Sequence, residues 1–151
     1  MNKKILTLCI IHQHPKILLG MKKRGYGEGK WNGFGGKVEK GETIEQGAIR
    51  EMKEESGIKI SRMNKLGILE FIYQDGSGNM EVHIFCVEEF KGSPVESEEM
   101  RPKWFHVDEI PYNQMWSDDK YWLPMLLDER SFRGKFVFNK FNEIVDYYII
   151  N

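Results

Sequence analysis

Apolar positions along this chain fall into short runs separated by glycine- and proline-bearing turns. Residues 5–11, 16–21, 66–73, 80–87 and 103–107 carry branched or aromatic side chains at strand length, which predicts several strands sharing one sheet. Two stretches follow the helical period instead, from about 44 to 56 and from about 119 to 130. The end, Phe132 to Phe138 and then Ile144 to Ile149, reads as a hairpin. The expected class is mixed α/β. The first helix has the clearest punctuation: Thr43 with Gln46 forms a capping-box pair, and Gly57 supplies a C-terminal stop.

Composition narrows the function classes. The 151 residues are 40% hydrophobic, with 22 basic against 23 acidic side chains, which predicts one compact domain over residues 1–151. A net charge of -1 leaves no polybasic field, so a stable nucleic-acid partner and adhesion to an anionic membrane are both disfavoured. No run approaches the roughly 20 apolar residues of a membrane span. The start, Met1 to Ile11, faintly imitates a leader, but its apolar run breaks at His12-Gln13-His14-Pro15 with no small-residue cleavage site, and it is expected to be the first strand. Cys9 and Cys86 sit alone in apolar runs without metal-ligand spacing, which points to a reducing compartment, the cytoplasm. Nothing in the chain demands a dimer, and a monomer is expected.

On a helix turning about 100° per residue, Glu51, Glu54 and Glu55 fall within one arc. Like charges so crowded are destabilising unless a cation sits among them, and hard divalent ions such as Mg²⁺ or Mn²⁺ suit oxygen ligands. A Glu-rich face is more often merely solvated. Here, however, Ile44, Gly47 and Ala48 share the azimuth of the acids, and Ile49 and Met52 continue an adjacent apolar arc. The carboxylates therefore abut the buried edge of the helix. Upstream, seven glycines between Gly25 and Gly41 require tight bends or a close approach of the backbone to something else.

Within 23 residues, Gly36, Glu42, Arg50, Glu51, Glu54, Glu55 and Gly57 stand at fixed offsets. The segment Gly36 to Ile58 resembles the complete Nudix box: glycine, five residues, Glu, seven residues, then Arg-Glu-apolar-x-Glu-Glu-x-Gly-apolar. The resemblance implies a strand–loop–helix catalytic unit on an α/β/α sandwich with a mixed central sheet, and hydrolysis of a diphosphate joined to a nucleoside. It implies Mg²⁺, for which Mn²⁺ can substitute, held by Glu51, Glu54, Glu55 and the Gly36 carbonyl. Glu55 or a more distant acid would take the proton of the attacking water. Cations are needed because negative charge accumulates on the phosphoanhydride oxygens. Arg50 and Glu42 are expected to pair and brace loop against helix.

The likeness extends beyond the box. Leu18 to Gly25, Gly29 to Val38, Pro94 to Pro102 and Met115 to Trp122 are similar to the branch that hydrolyses oxidised purine nucleoside triphosphates, the 8-oxo-dGTP diphosphatases. That resemblance implies a substrate pocket of Thr7, Lys22, Asn32, Phe71, Met80, Trp116, Asp118 and Asp119, and it adds Glu99 to the metal-binding or base carboxylates. The residue chemistry suits those roles. The Trp116 indole offers a stacking face. Asp118 and Asp119, adjacent in a dry pocket, do not readily both ionise, so the pair can present one donor and one acceptor to a base edge. Moving the proton between them would accommodate an oxidised guanine or an oxidised adenine. Asn32 can donate and accept. Phe71 and Met80 would be apolar walls, with Thr7 and Lys22 toward the sugar.

Each residue also has an ordinary reading: helix capping for Asp118 and Asp119, core packing for Trp116, Trp122, Phe71 and Met80, a turn for Asn32, a surface loop for Glu99. Tyr26 stands where this branch has phenylalanine, adding a hydroxyl, and Leu69 to Asn79 differs from it in polarity and turn composition. The expected reaction yields the monophosphate and pyrophosphate. The alternatives are hydrolysis of another nucleoside diphosphate derivative, such as ADP-ribose, a dinucleoside polyphosphate or an RNA cap, and a non-catalytic nucleotide sensor.

Overall fold

A computed structural model describes residues 3–151; Met1 and Asn2, at the head of the leader-like start, lie outside the described residues. The chain runs β1 (Lys4–Gln13), β2 (Lys16–Lys22), β3 (Trp31–Asn32), α1 (Ile44–Ser56), β4 (Lys59–Tyr73), β5 (Asn79–Lys91), β6 (Met100–His106), α2 (Asp119–Leu127), β7 (Phe132–Phe138) and β8 (Ile144–Ile150). One mixed sheet takes the order β3-β2-β1-β5-β4-β7-β8, with β6 paired to β2. The pairs β1/β5 and β4/β7 are parallel and the rest antiparallel.

Alternation along β1 explains the layering, because successive side chains leave a strand on opposite faces. Cys9 and Ile11 pack with Phe34, Phe85, Ala48 and Met52 beneath α1. Ile10 points the other way, into a core with Leu69, Ile84, Phe136 and the α2 residues Trp122, Leu123 and Leu126. The result is the α/β/α sandwich of the sequence reading. Cys9 and Cys86 are both buried and unpaired. No helix among the described residues is long and apolar enough to cross a membrane.

The first helix forms over the expected residues. Thr43 Oγ1 accepts from the Gln46 backbone N–H at 3.0 Å, and the Gln46 side chain accepts from the Thr43 N–H at 2.8 Å. Gly57 closes the other end at φ 79, a left-handed conformation that favours glycine. Because the cap satisfies two otherwise free N–H groups, Thr43→Ala is expected to cost about 1 kcal/mol, read from urea denaturation midpoints.

Several boundaries differ from the sequence reading, β5 running on to Lys91 and β6 beginning already at Met100 among them. β4 begins at Lys59 rather than 66, because its first half carries Lys59, Arg62 and Lys65 on an irregular register against β5 that masks the strand period. α2 stops at Leu127 rather than 130, since Glu129 turns to φ 59 and breaks the helical path. The two-residue β3 is too short to leave a pattern. On α1, Met52 is buried as expected whereas Ile49 is 37% exposed, at the margin of the apolar arc.

Candidate active site

The glycine loop is pressed between β1 and α1. Thr7 N–H donates to the Gly36 carbonyl at 2.9 Å, and Cys9 N–H donates to the Phe34 carbonyl at 2.6 Å, so the loop follows β1 like a further strand. A side chain on Gly35 would collide with the Thr7 carbonyl, and one on Gly36 would lie 2.6 Å from the Glu51 carboxyl carbon. Those two glycines are a requirement of space. Their reward is contact: the Gly35 N–H donates to Glu55 Oε1 at 2.9 Å.

The helix acids occupy three environments. Glu55 is buried at 6% exposure. Desolvation pushes its pKa up to about 7, against the pull of the Gly35 N–H, with Glu51 and Glu99 adding their repulsion. Glu51 is mostly covered and accepts from Arg50 at 2.8 Å. Glu54, at 59% side-chain exposure, points outward and meets the same guanidinium at 3.3 Å, so the expected arc is wider than a single buried face. Arg50 also forks onto Glu42 at 2.7 and 3.0 Å and reaches the Lys37 carbonyl at 3.1 Å. That fork holds the Glu42 carboxyl down to about 2, and it is the brace between loop and helix that the sequence suggested. Across the site, Glu99 is gripped by Arg24 at 2.7 Å and Lys22 at 3.1 Å, which keep it below the usual carboxylate range.

Among the described residues no three His, Cys, Asp or Glu side chains converge to hold a metal as they stand, and Glu51, Glu54 and Glu99 are paired with Arg50, Lys22 and Arg24. The donor set nevertheless fits a hard cation. Glu51 lies against the Gly36 backbone, and Glu55 is buried facing the charges of Glu51 and Glu99, a repulsion that a divalent ion would relieve.

Next to these acids a cavity of about 290 Å³ opens between the sheet and α2. Phe71 and Met80 are apolar lining of this cavity, which is also lined by Thr7, Lys22, Asn32 and Trp116 and, at α1, by Gly36 and Glu55. Its closed end holds Asp118 and Asp119. Asp118 occupies the N-cap position of α2 but its side chain makes no capping bond. It accepts instead from the Trp122 indole N–H at 2.8 Å, so capping does not explain the pair. Burial raises both carboxyl pKa values, most strongly that of Asp119, which also faces Asp118. Burial and the facing Asp118 carboxylate both favour the neutral form of Asp119, whose Oδ2 is buried with no hydrogen-bond partner.

The remaining expected residues sort clearly. Trp116 is half-buried, stacked by Tyr26 with centroids 5.0 Å apart and covered by Lys30 Nζ at 5.2 Å. Asn32 Oδ1 accepts from the Gly33 N–H at 2.8 Å, a turn bond that leaves its amide NH₂ beside the cavity. Trp122 is core, with its N–H committed to Asp118. Sequence reasoning missed Gly35 as a donor to Glu55 and Trp122 as the partner of Asp118. The four-residue spacing of Asp118 and Trp122 was a legible sign of the second.

Residues 3–126 match the NUDIX domain family. The chain belongs to the Nudix family. Nudix hydrolases generally use a divalent cation. The zebrafish (Danio rerio) "Oxidized purine nucleoside triphosphate hydrolase" is 50% identical over 146 residues, covering 97% of this chain and 94% of that protein. The mouse (Mus musculus) protein of the same name is 49% identical over the same shares. Among solved structures, a MutT protein from Bacillus halodurans superposes with a TM-score of 0.87 at 29% identity, covering 97% of each chain.

Proposed function

We propose that this Nudix chain hydrolyses oxidised purine nucleoside triphosphates, such as 8-oxo-dGTP and 2-oxo-dATP, to the monophosphate and pyrophosphate. The observation that carries the reading is one continuous site: a largely apolar cavity lined at once by the buried Asp118–Asp119 pair and by the buried Glu55 of α1. The names of the zebrafish and mouse relatives support the same substrate class. The base would enter between Trp116 and the Phe71–Met80 wall, with its polar edge at Asp118, Asp119 and Asn32. Lys22 and Thr7 would meet the sugar side.

Glu51, Glu54, Glu55, Glu99 and the Gly36 carbonyl would hold Mg²⁺, or Mn²⁺ in its place, which when bound would supply charge neutralisation and water activation at the phosphoanhydride. Glu55, buried beside the cavity and fixed by the Gly35 N–H, accepts the proton of the attacking water. Arg50 holds Glu51 in place through the Glu42 brace. Water attacks directly and no covalent enzyme intermediate is required. We take residues 1–151 as one domain acting as a monomer in the cytoplasm, a setting suited to two buried, unpaired cysteines.

A panel of 8-oxo-dGTP, 2-oxo-dATP, dGTP, dATP, ADP-ribose and a diadenosine polyphosphate, incubated with Mg²⁺ and resolved chromatographically, tests the proposal. Preferential release of monophosphate and pyrophosphate from the oxidised purines is expected. Preference for ADP-ribose or the dinucleotide would sink the substrate assignment, and binding without turnover would make the chain a sensor.

A further inference from the structure

Tyr26 and Tyr73 both line the cavity, and their hydroxyl groups are hydrogen-bonded to one another. The Tyr73 hydroxyl also donates to Oδ1 of Asn142, in the turn between β7 and β8, at 2.9 Å. A phenol carries a single hydroxyl proton. Because Tyr73 commits its own to an amide oxygen that can only accept, the proton between the two tyrosines must be that of Tyr26. The Tyr26 oxygen is then left with lone pairs alone, and toward anything else at the rim it is an acceptor. Partial desolvation of the hydroxyl, its bond to Tyr73 and the charges of Tyr73 and Asp118 push the Tyr26 pKa up, so the phenol stays neutral even though most of the residue's surface is exposed. Stacking on Trp116 at 5.0 Å fixes the ring.

The part of a purine that meets this oxygen follows from connectivity. Asp118 and Asp119 are 4% and 2% exposed at the closed end of the cavity, whereas Tyr26 is 63% exposed at the open end. The sugar and phosphates of a nucleotide must leave by the open end, and they are attached to the five-membered ring. The six-membered ring therefore points inward to the acids, and the imidazole edge with N7 and C8 lies at the rim. In an undamaged purine N7 is a hydrogen-bond acceptor. Oxidation at C8 places a carbonyl there and a hydrogen on N7, which becomes a donor.

We infer that Tyr26 is a specificity-determining residue: its acceptor-only oxygen, oriented by Tyr73 and Asn142, takes a hydrogen bond from the N7–H of an 8-oxidised purine and repels the N7 lone pair of an undamaged one. The inference rests on the proposed function and divides the labour within it. The Asp pair reads the six-membered ring, and the rim reads the lesion at the imidazole.

Steady-state kinetics of Tyr26→Phe, Tyr73→Phe and the double variant on 8-oxo-dGTP, dGTP and 2-oxo-dATP test it, since 2-oxo-dATP has an unmodified imidazole. The ratio of kcat/KM for 8-oxo-dGTP over dGTP is expected to fall about tenfold in Tyr26→Phe, the scale of one hydrogen bond gained against one repelled. Turnover of 2-oxo-dATP, whose N7 lone pair meets the same repulsion as that of dGTP, should change in step with dGTP and not with 8-oxo-dGTP. Tyr73→Phe frees the Tyr26 proton to rotate and should erode the ratio by less, and the double variant should match Tyr26→Phe. An unchanged ratio in Tyr26→Phe, or equal losses on all three substrates, overturns the inference; equal losses would mark the tyrosines as packing only. A native protein that turns over none of the three would overturn the proposed function, and this inference with it.

Discussion

Glu55→Gln is expected to lower kcat roughly 10²–10⁴-fold while leaving KM within a few-fold, the range that loss of a positioned general base produces. The substitution is nearly isosteric, and the glutamine oxygen can still accept from the Gly35 N–H that now holds Glu55 at 2.9 Å. The variant should melt no lower than the native protein, because a carboxyl that burial drives up to about 7 is replaced by a group with no charge to desolvate. That separation of rate from stability distinguishes a chemical role from a structural one. Full activity in Glu55→Gln would move the proton acceptor to another acid, with Glu99 the next to test.

The second large effect concerns the base pocket. Asp119→Ala removes a buried hydrogen-bonding group from the closed end, and kcat/KM for both 8-oxo-dGTP and 2-oxo-dATP should fall about 10²-fold, because a base edge deprived of its partner is left unpaired in a dry site. Asp119→Asn should behave differently. An amide cannot exchange its proton with Asp118, so it freezes one donor–acceptor pattern, and the ratio of the two oxidised substrates should shift by at least about tenfold. Equal effects of Asn on both substrates would refute proton exchange as the source of breadth.

The same residue makes a stability prediction with a definite sign. The pKa of Asp119 is raised in the folded protein well above 3.8, so above that pH the folded state binds a proton that the unfolded chain has released. Its contribution to stability therefore declines as pH rises. The stability difference between Asp119→Asn and the native protein should grow in favour of the variant from about pH 4 toward neutrality, in urea titrations at each pH. A pH-independent difference would mean that Asp119 is ionised in the fold.

What the residues by themselves determined here was local. A helix with its caps is written in neighbouring positions, so α1 and its boundaries from Thr43 to Gly57 were legible, as were the strand runs and the spacing of Glu51, Glu54 and Glu55. The spacing of the whole box, from Gly36 to Ile58, was enough to indicate the reaction class. Only the tertiary structure decided which of those acids is buried. Glu55 lies beneath the Gly35 N–H because the glycine loop runs along β1, a contact between residues 20 apart, while Glu54 turns to solvent. Likewise Asp118 could have been a cap until α2 was seen to begin with its carboxylate bound to Trp122. The Tyr26–Tyr73–Asn142 chain joins three segments 47 and 69 residues apart, and no local pattern encodes it. Periodicity and capping act between neighbours, whereas burial, shared protons and the direction of a hydrogen-bond chain arise only when distant segments exclude water together.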